Sequence, residues 1–190
     1  MPDHRLFIAI ELPDDIIKKL KVLQEQLRKD CKAKVSWSKP ENTHLTLKFL
    51  GNVQEDVIDK INPCIENACN GISQFMLSAE GVGSFPNLNN PKVIWIGIKP
   101  HNDLLNNICE RLEQGLNNIG FEKEKRKFHP HLTLGRIRYA DKDAGLKTGI
   151  DKLKDFAIGE FMVKSIILFE SELNPNGAVY TKLKEIKLGC

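Results

Sequence analysis

The chain has 190 residues, of which 41% are hydrophobic and 28% are charged. This is the ordinary composition of a globular domain, and it excludes a disordered or fibrous protein. Lys and Arg number 28 against 25 Asp and Glu, so the net charge is +3, which permits a polyanionic partner without requiring one. The sequence shows no apolar run of membrane-spanning length and no signal-peptide pattern, so we expect a cytoplasmic protein with no membrane partner.

The strand predictions rest on short runs of alternating apolar and polar residues between turn signals. The predicted strands are Arg5–Glu11, Ala33–Trp37, Thr43–Leu50, Gln74–Phe85, Lys92–Ile98, His131–Arg138, Phe161–Glu170 and Ala178–Ile186. Turn clusters precede Lys92 and Ala178, at residues 86–91 and 174–177.

Three helices are predicted from apolar residues at helical spacing. The first follows Pro13 and buries Ile16, Leu20, Leu23 and Leu27, and the third covers residues 105–119 before Gly120. The second is Glu55–Cys69, which Pro63 should kink or split. Strands dominate without strict alternation with helices, so the fold class is α+β with antiparallel sheets.

The five cysteines are an odd number without a C-x-x-C pair. Reduced thiols in a cytosolic protein are the expected state. Cys64 and Cys69 have no matching ligand pair for zinc. We expect no metal site and no cofactor.

One tetrapeptide occurs twice: His-Leu-Thr-Leu stands at residues 44–47 and again at 131–134. Repetition at about half the chain length indicates duplicated structural units that face each other. Side chains alternate along a strand, so His44 and Thr46 share one face, as do His131 and Thr133. Two imidazoles supply an acid and a base near neutral pH, and the hydroxyls donate to phosphoryl oxygens. This set suits displacement at a phosphodiester without a metal.

The residues around the repeats carry a family resemblance over essentially the whole chain. VSWSKPENTHLTLKFLG at residues 35–51 and PHLTLGR at 130–136 resemble the two HxTx segments of the 2'-5' RNA ligase (RNA 2',3'-cyclic phosphodiesterase) family. RLFIAIELP at residues 5–13, GVGSFPN before KVIWIGI, and SELNPNGAVYTKL at residues 171–183 also resemble this family of the two-histidine phosphoesterase superfamily.

The resemblance implies one bilobed domain over residues 1–190, with pseudo-twofold duplication and two antiparallel sheets with flanking helices around a central cleft. It implies hydrolysis of an RNA-terminal 2',3'-cyclic phosphate to a 2'-phosphomonoester, and a reversible 2'-5' ligation in some members. The substrate RNA ends include possible tRNA-derived ones. By position, His44 is the general acid and His131 the general base. Thr46, Thr133 and Arg136 bind the substrate phosphate. The identical motifs do not themselves distinguish acid from base.

Three neighbouring positions stay open. Arg136 lies three residues after Thr133, so it needs a bulge, for which Gly135 is suited, to reach the same face. Phe49 is a core residue by parity, although base stacking is the alternative. Lys48 is expected to be exposed, and His129 to lie at the rim rather than bind a metal.

Two other functions share this pattern. A phosphodiesterase for 2'-5' oligonucleotides or small cyclic nucleotides would use the same cleft. A non-catalytic module that binds RNA ends would not need two titrating imidazoles. A monomer is expected because no additional apolar stripe is evident.

Overall fold

The computed structural model describes residues 3–139, 145–175 and 177–189. Its strands are β1 (Asp3–Glu11), β2 (Lys34–Trp37), β3 (His44–Gln54), β4 (Phe75–Phe85), β5 (Val93–Pro100), β6 (His131–Tyr139), β7 (Ala157–Val163), β8 (Ser165–Asn174) and β9 (Gly177–Lys187). Its helices are α1 (Asp14–Asp30), α2 (Glu55–Cys69), α3 (Leu104–Asn118) and α4 (Leu146–Lys152). A single 3-10 turn, Pro40–Asn42, precedes β3.

The strands form two antiparallel sheets, which confirms the α+β class. Sheet A has the order β3-β1-β8-β9, and sheet B has the order β2-β6-β5-β4-β7. Sheet A therefore combines strands from both ends of the chain. No helix within the described ranges is long and apolar enough to span a bilayer.

Three local predictions need correction. The expected strand Phe161–Glu170 is wrong, because the chain divides it between β7 in sheet B and β8 in sheet A. Helix α4 was not predicted. Helix α2 continues through Pro63 without a split; Pro63 is exposed, so water can solvate the carbonyl that the proline leaves unbonded. The turn at residues 174–177 includes Asn176, which lies outside the described residues, as does Cys190.

The core joins the two sheets and the helices that cover them. Apolar residues spaced along α1, among them Ile16, Leu20, Leu23 and Leu27, are at most 1% exposed. Each such burial stabilises the fold by about 1.5–3 kcal/mol. Cys31, Cys64, Cys69 and Cys109 are thiols rather than disulfides.

The two motif strands belong to different sheets but lie next to each other. The Ser38 amide, which precedes the first motif, donates to the Leu134 carbonyl of the second at 3.0 Å. The buried Gln24 side chain of α1 donates to both the Ser38 and Leu134 carbonyls, at 2.9 and 2.8 Å. These bonds fix the segment before one motif against the strand of the other.

Candidate active site

Each repeated tetrapeptide opens a strand. His44 is the first residue of β3 and His131 the first of β6. The leucines of both repeats are buried, whereas the histidines and threonines are partly exposed. The predicted alternation therefore holds within both motifs.

Both histidines are held by the same local hydrogen bond. His44 Nδ1 lies 3.0 Å from the Asn42 carbonyl, and His131 Nδ1 lies 2.7 Å from the His129 carbonyl. A carbonyl only accepts, so Nδ1 carries the proton in each neutral ring. Each Nε2 then keeps a free lone pair and is the atom available for proton transfer.

The first motif is followed by a bulge. Thr46 lies opposite Ala9, but Lys48 lies opposite Ile8, so Leu47 is an extra residue on β3. A bulge of this kind reverses which face the following side chains occupy. The side chains of β3 after Leu47 therefore lie on the opposite faces to those that simple alternation from the sequence predicts.

The bulge overturns two sequence interpretations. Phe49 is 66% exposed rather than in the core, and its ring lies 6.2 Å from that of Phe7. Lys48 is only 8% exposed rather than at the surface. Its Nζ donates to Glu113 Oε1 at 2.7 Å and to the Glu122 carbonyl at 2.8 Å.

The second motif has the matching bulge. Thr133 lies opposite Trp95 and Gly135 opposite Ile94, so Leu134 is the extra residue. The bulge expected at Gly135 is thus at the adjacent position, and it returns Arg136 to the phase of Thr133. Glycine is needed at position 135 for a separate reason, because a Cβ there would lie 2.7 Å from Cγ1 of Val35 on β2.

Aromatic rings enclose His44. Phe7 stacks on the imidazole with centroids 4.5 Å apart, and Tyr180 meets it edge-on at 5.2 Å. Burial lowers the pKa of His44 from 6.5 to about 4, and the bond to the Asn42 carbonyl opposes part of this change. Sequence reasoning missed Tyr180 as a site residue; its only signal was its position in the segment SELNPNGAVYTKL.

Tyr180 reaches His44 because β9, at the far edge of sheet A, curls back towards the start of β3. Asn42 Nδ2 donates to the Ala178 carbonyl at 2.8 Å. Lys182 Nζ lies 2.6 Å from Glu11 Oε2, and Glu11 is opposite His44 in the β1–β3 ladder. Contacts from three alternating residues of β9 thus join this strand to the start of the first motif.

The second histidine has different neighbours. Phe85 meets His131 edge-on at 4.9 Å, and Trp95 lies 6.4 Å away. Burial lowers the pKa of His131; the bond to the His129 carbonyl opposes the shift, and the charges of His129 and Arg136 add to it. Burial also raises the pKa of Tyr180, which the charges of Arg5 and Arg136 oppose. Arg136 therefore acts on the surroundings of both motif histidines.

His129 is exposed, and its ring packs 5.3 Å from Phe85 and 5.1 Å from Trp95. This agrees with placement at the rim of the site. Within the described part of the chain, no three His, Cys, Asp or Glu side chains gather as metal ligands.

The sequence matches the model of a family described as LigT like phosphoesterase, over residues 10–95 and again over 96–180. A Methanocaldococcus jannaschii protein named RNA 2',3'-cyclic phosphodiesterase is 39% identical over 95% of this chain and 99% of its own. A Thermotoga maritima protein of the same name is 35% identical over 95% of this chain and 94% of its own.

Solved structures share the fold. A crystal structure of a Thermus thermophilus protein superposes with a TM-score of 0.81 at 26% identity, covering 97% of both chains. Escherichia coli LigT complexed with 3'-AMP gives a TM-score of 0.79 at 24% identity, covering 98% of both chains.

Proposed function

This chain belongs to the LigT-like phosphoesterase family, and we propose that it is a cyclic phosphodiesterase that hydrolyses RNA-terminal 2',3'-cyclic phosphate to a 2'-phosphomonoester. The observation that carries the proposal is the pair of histidines with matched Nδ1 hydrogen bonds, each two residues before a threonine in the same strand phase. Full-length relatives named for this activity support it.

The reaction needs one proton taken up and one delivered. His131 Nε2 accepts a proton from water, whose oxygen attacks phosphorus while the bond from phosphorus to the 3' oxygen breaks. His44 Nε2 donates a proton to that leaving oxygen, and exchange with solvent resets both rings. Thr46 and Thr133 donate to the non-bridging oxygens, and the Arg136 guanidinium stabilises their charge. With a 5'-hydroxyl in place of water, the same steps form a 2'-5' linkage reversibly.

This division of roles follows the family positions, and two neighbouring groups favour it although burial lowers the pKa of both histidines, to about 4 at His44. The face of Phe7 stacked on His44 favours an imidazolium there through its ring quadrupole. The charges of His129 and Arg136 disfavour an imidazolium at His131. Burial disfavours protonation of both rings in the free chain, and the negative charge of a bound phosphodiester offsets that effect.

The proposal extends to the form in which the enzyme acts. Residues 1–190 act as one bilobed domain with a continuous core, and the domain acts as a monomer. The four thiols support a cytoplasmic location. RNA ends produced by tRNA cleavage are candidate substrates.

The test is incubation with a short RNA ending in 2',3'-cyclic phosphate in the presence of EDTA, followed by identification of the product. We expect a 2'-phosphate end. His44→Asn and His131→Asn should each lower kcat by about 10²–10⁴, whereas the surface variant His101→Asn should keep full activity.

The other products identify the alternatives. A 3'-phosphate product would mean that the 2' oxygen, rather than the 3' oxygen, is the leaving group. Cleavage restricted to 2'-5' linkages or small cyclic nucleotides would mean a different substrate class. RNA bound without turnover would indicate an end-binding module and contradict the proposal.

A further inference from the structure

A run of cations precedes the second motif. The basic segment, defined here as Lys123–Lys127, contains four cations and one carboxylate, and all five side chains are exposed. Its net charge of +3 equals that of the entire chain. The rest of the molecule is therefore balanced, and the excess positive charge is concentrated in this segment.

Hydrogen bonds hold the backbone around the basic segment. The buried Lys48 Nζ donates to the Glu122 carbonyl at 2.8 Å. The Glu124 amide donates to Glu113 Oε2 at 3.0 Å, while Glu113 Oε1 pairs with Lys48 at 2.7 Å. The ion pair of the buried Lys48 with the half-buried Glu113 thus fixes the loop at Glu122 and Glu124, so the cations are presented on an ordered backbone.

The chain also brings the segment close to the second motif. Lys48 stands two residues after Thr46, and Lys127 stands four residues before His131. The Lys48 side chain holds the loop from the core-facing side of β3, opposite the face of Thr46, and the segment leads into β6 at His131. At no more than about 3.6 Å per residue, Lys127 lies within about 15 Å of His131, within reach of an RNA chain whose end is bound at the motifs.

We propose that the basic segment binds the phosphodiester backbone of the RNA upstream of its cyclic end. This inference rests on the proposed function and adds a second contact region to the same substrate. Exposed Lys and Arg side chains bind a polyanion through phosphate contacts that release counterions. The ordered backbone lowers the entropy that such contacts cost. A cyclic mononucleotide carries no upstream phosphate, so only an oligonucleotide uses the segment.

The test compares a ten-nucleotide RNA ending in 2',3'-cyclic phosphate with 2',3'-cyclic AMP. The segment variant carries Lys123→Gln, Lys125→Gln, Arg126→Gln and Lys127→Gln. The matched control removes four cations from exposed helix positions by Lys18→Gln, Lys21→Gln, Lys60→Gln and Lys147→Gln.

In the segment variant, we expect the KM for RNA to rise about tenfold relative to the KM for cyclic AMP. Loss of two phosphate contacts lowers the slope of log KM against log salt by about 1.4, at about 0.7 for each contact to a single strand. The control variant should change neither quantity. An unchanged KM ratio in the segment variant, or an equal change in the control, would overturn the proposal.

Fluorescence anisotropy with the same RNA separates the two proposals. If the wild-type protein hydrolyses neither substrate, the proposed function fails, but the segment variant must still bind the RNA more weakly than the control variant does. Equal affinities of the two variants would refute the RNA contact itself.

Discussion

The pH dependence of kcat/KM tests the environment of the two histidines. This quantity reports the free enzyme, which must hold one imidazole neutral as base and the other protonated as acid. Burial lowers the pKa of His44 to about 4 and that of His131 below its ordinary 6.5. At pH 7, only about one molecule in a thousand carries a proton on His44.

The expected profile is a bell on the acid side of neutrality. Below the first apparent pKa the base gains a proton, and above the second the acid loses its proton, so kcat/KM falls tenfold per unit on each side. With both values below 6.5, kcat/KM at pH 8.5 should be at least about 100-fold below its maximum. The optimum of kcat should lie at higher pH, because the bound phosphodiester raises both values.

The assay is initial-rate hydrolysis of a 2',3'-cyclic nucleotide from pH 4 to 9 at constant ionic strength. A kcat/KM maximum above pH 7 would refute the reasoning, because it would mean that the pKa of at least one ring lies above its ordinary 6.5 rather than below it. The pH profile of the residual activity should lose its alkaline limb in His44→Asn and its acidic limb in His131→Asn. The opposite pattern would exchange the acid and base roles.

Three further outcomes are expected from the structure. Phe49→Leu should raise the KM for RNA about tenfold at unchanged melting temperature, since a stacked base contributes about 1–3 kcal/mol; an unchanged KM would exclude stacking. Lys48→Met should lower the free energy of urea unfolding by about 2–3 kcal/mol, because it leaves the half-buried Glu113 carboxylate without its cation. Adding Glu113→Met should restore part of that loss, and a larger loss would contradict the pairing. Gly135→Ala should cost about 1–3 kcal/mol through overlap with Val35; thermal melts should show partial recovery with Val35→Ala, and no recovery would place the strain elsewhere.

The sequence predicts the site where chemistry is local. A repeated tetrapeptide in an alternating strand is enough to place the histidines and threonines on one side and the leucines on the other. The fold class also follows from local patterns. The boundary between β7 and β8 does not, because Lys164 separates two apolar runs that read as one strand.

The errors at Lys48 and Phe49 have a non-local cause. Their faces depend on how β3 pairs with β1, and the extra residue Leu47 is visible only in that register. At the second motif, Gly135 gave a local hint of the bulge, so the reach of Arg136 could be anticipated. The contact of Tyr180 with His44 depends on the curl of a whole sheet, which no segment of sequence encodes by itself.

Sheet A has a consequence for synthesis on the ribosome. Its strands come from residues 3–54 and 165–187, and every strand of sheet B except β2 is made between these two parts. The histidine of the first motif is translated early, yet Tyr180 and Lys182 contact His44 and Glu11 only once the last strand has emerged. A nascent chain that already contains both motifs therefore still lacks the Tyr180 ring beside His44. The complete surroundings of His44 form late, when translation reaches β9.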